Sequence, residues 1–155
     1  MSSKPTYCWD TSVFVAWLKE EPDKPLADIA AVAAEIDANE AVLVVPVTVL
    51  TEMQPSKFTA EQWDSFQKTL RRSNVVVADT TPAIAERASR LRDRAEAEGR
   101  KIKTGDATII ATAVVYGVAV LHTFEPKHIN LSGSDVVEGL RITQPLPLSG
   151  QKGLL

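Results

Sequence analysis

The stretch "TGDATIIATAVVYGVAVLHT", residues 104–123, decides how this chain is read. An acid stands at the mouth of an apolar run that reaches Tyr116, Gly117 interrupts it, and a second apolar run follows. The first run predicts a buried helix, and "VAVLHT" (118–123) predicts a strand. Gly117 suits the left-handed turn that ends many helices. A helix delivering the chain into a covered strand is half of a parallel α/β unit.

The same alternation extends in both directions. "NVVVAD" (74–79) predicts a strand, and Thr81-Pro82 then starts a helix that runs to Gly99, with a hydroxyl N-cap and proline at the first helical position. "AVLVVP" (41–46) is continuously apolar, as in a strand covered on both faces, and Pro46 ends it. A helix should then open near Thr48 and carry Glu52 on an early turn, while "TAEQ" (59–62) has capping-box form. At the start, "TYCWD" (6–10) predicts a strand ending at Asp10, followed by a helix with Val13, Phe14, Trp17 and Leu18 on one face. Leu26, Ile29, Ala33 and Ile36 form another helical stripe, and "GLRIT" (139–143) offers a weaker fifth strand. The expected architecture is a parallel sheet with helices on both faces.

The 155 residues fit one domain over 1–148, with 149–155 read as a loosely held end of the segment "QPLPLSGQKGLL". A composition of 45% hydrophobic and 24% charged residues is that of an ordinary globular protein. Cys8 is the single cysteine, which excludes an intramolecular disulfide. With no apolar signal core and no stretch approaching a membrane span, the expectation is a cytoplasmic protein. A net charge of −3 argues against nucleic-acid binding by bulk electrostatics but leaves room for a local basic strip.

Parallel α/β sheets hold their sites outside the carboxyl ends of the strands. Asp10 ends the first strand, Glu52 follows the second, Asp106 opens the helix leading to the fourth, and Glu125 follows that strand. Each has a structural reading by itself: Asp10 and Asp106 as helix-start acids, Glu52 as a solvated helix residue, Glu125 as a loop charge. Jointly they would crowd one rim, at a cost that a hard divalent cation removes. Mg²⁺ or Mn²⁺ with carboxylate ligands points to metal-assisted phosphodiester hydrolysis.

"WDTSVFV" (9–15), "VPVTVLTEM" (45–53) and "KIKTGDATIIATAVVYGVAVLHTFE" (101–125) together resemble the PIN-domain ribonucleases, above all the VapC-like toxins of type II toxin–antitoxin pairs. The resemblance implies a three-layer α/β/α sandwich with a central, mostly parallel sheet of four or five strands. It also implies Mg²⁺- or Mn²⁺-dependent cleavage of RNA, a homodimer, and a small VapB-like antitoxin that inserts into the active-site groove. By position Asp10, Glu52 and Asp106 match the family's acidic triad, and these three are the implied metal ligands. Thr11 and Ser12 match the hydroxyl residues after the first acid, and Thr123 the one preceding the fourth. Glu125 stands where family members often carry Asp, and its extra methylene leaves metal contact through water, or none, as the alternatives.

Arg100, Lys101 and Lys103 are the candidate RNA contacts, against the reading of a solvated loop after a helix cap. Arg87, Arg90 and Arg94 are explained by surface pairing, and Phe14, Trp17 and Leu18 by the core. His128 is read as a loop residue able to touch phosphate, and His122 as a packed strand histidine. Two other readings stand beside the toxin: a PIN-type nuclease of RNA maturation without an antitoxin, and a catalytically silent metal- or RNA-binding module. A haloacid-dehalogenase-type phosphatase needs an aspartate two residues after the first, where this chain has Ser12.

Overall fold

The computed structural model describes residues 4–148; the end assigned to 149–155 lies outside them. Five strands form one all-parallel sheet: β1 (Thr6–Trp9), β2 (Val42–Pro46), β3 (Val75–Ala78), β4 (Val120–His122) and β5 (Ile142–Thr143). Their spatial order is β3-β2-β1-β4-β5. The chain therefore steps outward from β1 through β2 to β3, then returns to the other side of β1 to lay down β4 and β5.

That reversal sorts the helices, because right-handed crossovers moving in opposite directions fall on opposite faces. α2 (Leu26–Asp37) and α4 (Ala60–Leu70) both pack against α1 (Thr11–Lys19). α5 (Pro82–Ala97) and α6 (Thr104–Val115) pack together on the other face. The short α3 (Val47–Glu52) follows β2 and leans over the sheet end onto α6. α7 (Pro126–Ile129) follows β4.

Local chemistry sets these boundaries. Thr59 and Gln62 form both halves of a capping box at α4, and the Thr81 hydroxyl accepts from the Ile84 amide ahead of Pro82. Gly117 takes a φ of 61° after α6, a backbone state that costs glycine nothing. α6 is covered almost all round, with Ile109, Ile110, Ala111, Thr112 and Ala113 buried. Under α1 and α4 an aromatic chain runs from Trp9 to Phe14 (5.2 Å) and on to Phe66 (5.3 Å), all edge-on. Such pairs add about 0.5–1.5 kcal/mol each beyond their burial. Phe14 and Leu18 are core residues as expected, and Trp17 packs against that core partly exposed.

Several boundaries differ from the sequence expectation. Strands four and five shrink to three and two residues. Glu52 sits at the last position of its helix instead of an early turn, because α3 is only six residues long and starts directly at Val47. Beyond β5, the Leu148 amide donates to the Tyr7 hydroxyl, which itself donates to buried Glu35 at 2.6 Å. Burial and the Glu35 carboxylate push the Tyr7 phenol well above its ordinary pKa.

Candidate active site

Where strand order reverses, β1 and β4 lie side by side and their carboxyl ends meet. The Asp10 amide donates to the His122 carbonyl (3.2 Å), so the ladder between them continues to the residue that carries the first acid. Such a topological switch point is where open α/β sheets bind their ligands.

Asp10 is the N-cap of α1, its Oδ1 accepting from the Val13 amide at 3.3 Å. The same oxygen accepts from Ser12 Oγ at 2.6 Å, and Oδ2 accepts from the Thr123 hydroxyl. The capping role and the site role coincide in one side chain. Asp10 is only 9% exposed, and burial raises its pKa despite the lowering effects of these donors and of nearby His128.

The hydroxyls do more than face the acid. Ser12 Oγ accepts from the Phe124 amide (3.2 Å), and Thr123 Oγ1 from the Glu125 amide (3.1 Å). Ser12 thereby pins the loop after β4 to the start of α1, and Thr123 does so through its bond to Asp10. Thr11, the first residue of α1, donates to Glu52 Oε1 at 2.5 Å. All three hydroxyl residues singled out in the sequence contact an acid, and the α3 carboxylate is tied to the residue next to Asp10.

Glu52 also meets α6. A Cβ added at Gly105 would lie 3.3 Å from Glu52 Oε2 and 3.8 Å from Thr48 Cγ2, so the glycine lets the two helices close up. Asp106 is the next residue, in the first turn of α6, where the helix N-terminus favours a negative charge. Its Oδ2 lies 3.5 Å from His128 Nε2. His128 is not the loop residue expected: α7 forms there, and His128 is buried against the acids, not presented to solvent. The signal was available, since Glu125-Pro126 repeats the cap-then-proline pattern of Thr81-Pro82.

Glu125 is exposed and spends its Oε1 on the Lys127 amide (3.2 Å) as the α7 N-cap. Among the described residues the Lys127 amide is the partner found for its carboxylate. Arg100 and Lys101 lie exposed on the loop between α5 and α6, and Lys103 is the exposed N-cap of α6 without a side-chain capping bond.

Asp10, Glu52, Asp106 and His128 thus form a chain of neighbours linked through Thr11 and Gly105. Among the described residues, no three acidic, histidine or cysteine side chains close into a ready cation cage. Asp10 and Glu52 are held by neutral donors, and Asp106 faces the His128 imidazole. The donor set fits a hard divalent ion that takes one or two carboxylates and fills its remaining positions with water.

Behind the rim, His122 is fully buried against Tyr7, with ring centroids 5.1 Å apart. Trp9 Nε1 donates to its Nδ1 at 3.1 Å, while Nε2 has no partner among the described residues. Burial, aided by the nearby positive charge of Arg141, pushes its pKa down to about 3. Cys8 is buried and its thiol pushed far up by desolvation, hence chemically quiet.

A family model for the PIN domain matches residues 7–133. Comparison with curated proteins finds no match. Among solved structures, the chain is similar to VapBC2 from Rickettsia felis bound to a DNA fragment from its promoter. That likeness has 20% identity and a TM-score of 0.66, covering 88% of this chain and 96% of that one. It is similar also to DNA-bound VapBC from Salmonella typhimurium, at 17% identity and TM-score 0.63, covering 89% and 96%. A third likeness is to VapC20 of Mycobacterium tuberculosis, a toxin that cleaves the sarcin–ricin loop. It has 16% identity and TM-score 0.57, covering 77% and 90%. At such identities these likenesses speak to the fold.

Proposed function

The chain belongs to the PIN-domain family, and from that premise we propose that it is a metal-dependent endoribonuclease, the toxin of a toxin–antitoxin pair. The observation that carries the reading is Asp10. A carboxylate kept nearly dry at the switch point, ringed by Ser12, Thr123 and the Val13 amide, is costly to the fold and useful to a cation site. Asp106 and Glu52 approach the same rim from α6 and α3, and both lie within one residue of its linking contacts.

Asp10 and Asp106 would hold Mg²⁺ or Mn²⁺ directly, with Glu52 joining directly or through water. When bound, the ion supplies Lewis-acid activation of water and offsets charge on the phosphodiester. The chain's own residues do the rest. Thr11 orients Glu52, Ser12 and Thr123 fix both oxygens of Asp10, and His128 closes the inner side against Asp106. Glu125 serves α7, which carries His128, and stands outside the ligand set.

The toxin assignment draws on the VapBC assemblies among the structural likenesses, and it brings a VapB-like antitoxin and a homodimer with it. Purified protein should cleave RNA only with Mg²⁺ or Mn²⁺, and Asp10→Asn or Asp106→Asn should reduce cleavage to background with the fold intact. Full activity in either variant would overturn the nuclease reading. Calorimetric metal binding with no turnover on any RNA pool would identify a silent module instead. Co-purification with a small DNA-binding protein distinguishes a toxin from a maturation nuclease.

A further inference from the structure

The cations of α5 are largely engaged. Arg90 pairs with Glu86, Arg87 with Glu138 at 3.1 Å, and Arg92 and Arg94 donate to the carbonyls of Ile102 and Asp135. Arg100, Lys101 and Lys127 differ: among the described residues none of them forms an ion pair. They come from two distant segments and together line a cleft of about 480 Å³. Ile102 and Leu131, both buried, contribute apolar surface to it, and Asn130 an amide.

Both segments that line this cleft lead along the chain to residues of the acidic rim. Arg100 and Lys101 lead within a few residues to Asp106, and Lys127 directly precedes His128, which faces Asp106. Three cations without counter-ions among the described residues, beside the edges of Ile102 and Leu131, suit a ligand that is anionic on one side and partly apolar on another. A nucleotide has that character: phosphates for the cations and a base whose edge can meet an amide. A second depression of about 390 Å³, reached across the same loop, includes Asp93 and Glu96 in its lining. Arg90 and Arg92 there are already engaged by Glu86 and the Ile102 carbonyl. Arg100 and Lys101 border both depressions, so Lys127 on the α7 side is the cation that sets the first cleft apart.

We propose that this cleft binds a nucleotide of single-stranded RNA flanking the cleaved phosphodiester, with Arg100, Lys101 and Lys127 on its phosphates and Asn130 at the base edge. The assignment rests on the nuclease reading. It places Lys103 outside the contact set and adds Lys127 and Asn130 to it.

The test is fluorescence anisotropy of a labelled single-stranded oligoribonucleotide pool in chelator, where no cleavage occurs. The variant Arg100→Ala/Lys101→Ala/Lys127→Ala should bind at least ~10-fold more weakly at low salt. Its log–log salt slope should fall by about two, at roughly 0.7 per phosphate contact on a single strand. Arg100→Lys/Lys101→Arg/Lys127→Arg should keep both values, as should Lys68→Ala/Arg71→Ala/Arg72→Ala on the far face. Asn130→Ala should alter the preferred base at one flanking position among cleaved ends while keeping the salt slope.

Wild-type affinity in the triple alanine variant overturns the cleft assignment, as does an equal loss in the far-face control. Weakened binding of a protein partner with unchanged RNA affinity also overturns it. If wild type cleaves RNA with Mg²⁺ and the triple variant cleaves with unchanged KM, the cleft falls while the nuclease reading stands. If wild type neither binds nor cleaves RNA, the nuclease reading falls first.

Discussion

Burying an ionised carboxylate against neutral donors costs folding free energy even when every lone pair is used, because hydroxyls and amides replace bulk water incompletely. Asp10 is in that position, and its raised pKa is the titration counterpart of the cost. Asn at position 10 keeps an oxygen for the Val13 amide and Ser12, and lets the Thr123 hydroxyl turn to accept. Asp10→Asn should therefore unfold at a higher temperature than wild type in chelator at neutral pH. A gain of about 2–4 °C is expected for each kcal/mol recovered in a chain of this size. Added Mg²⁺ should raise the wild-type midpoint and leave that of the variant unmoved. A lower midpoint for Asp10→Asn in chelator would show that the carboxylate is there for the fold.

Gly105 shows the same tension between two helices. A first-turn alanine favours α6 by up to about 1 kcal/mol over glycine. Its Cβ would press on Glu52 Oε2, the free end of a flexible side chain that can yield by a few tenths of an ångström. Gly105→Ala should leave the thermal midpoint level or raised while lowering Mg²⁺ affinity and cleavage several-fold. A loss of both together would mean that the α3–α6 contact is structural. A purely local change belongs to the Thr81 cap: Thr81→Ala should cost about 1 kcal/mol in a urea titration and leave cleavage unchanged. Caps of this kind were legible in the sequence because they depend on neighbours three residues away. Helix α7 carries an equally local signal in Glu125-Pro126, where the same carboxylate is both a charge beside the rim and a cap. Glu52's place at the end of α3 was not legible, since a six-residue helix is fixed by its packing on α6 and not by any periodicity of its own.

At the scale of the molecule, continuous apolar runs and long crossovers announced a parallel sheet, and the all-parallel order follows. Which strands neighbour one another was outside the reach of one sequence, and with it the meeting of Asp10 and Thr123 across β1 and β4. The same neighbour relation buries His122 beneath the rim, and this gives the whole fold an acid limit. The folded imidazole has a pKa near 3, against about 6.5 for a histidine in the unfolded chain. Between those values the unfolded state binds a proton that the folded state refuses, so stability falls as pH falls through that window. The slope is at most about 1.4 kcal/mol per pH unit, and the effect is complete near pH 3. Asp10 opposes it, since its raised folded pKa gives a stabilising term that is fully present only at low pH and lost as pH rises. His122→Asn retains an acceptor for Trp9 Nε1 and removes the titrating ring while keeping Asp10. Urea midpoints at pH 7 and pH 5 should thus converge. The variant starts lower because it loses the Tyr7 contact, but it should be spared most of the roughly 2 kcal/mol that His122 removes from wild type over that interval. Parallel losses in the two proteins would mean that His122 takes up its proton within the folded state, through a partner found for Nε2.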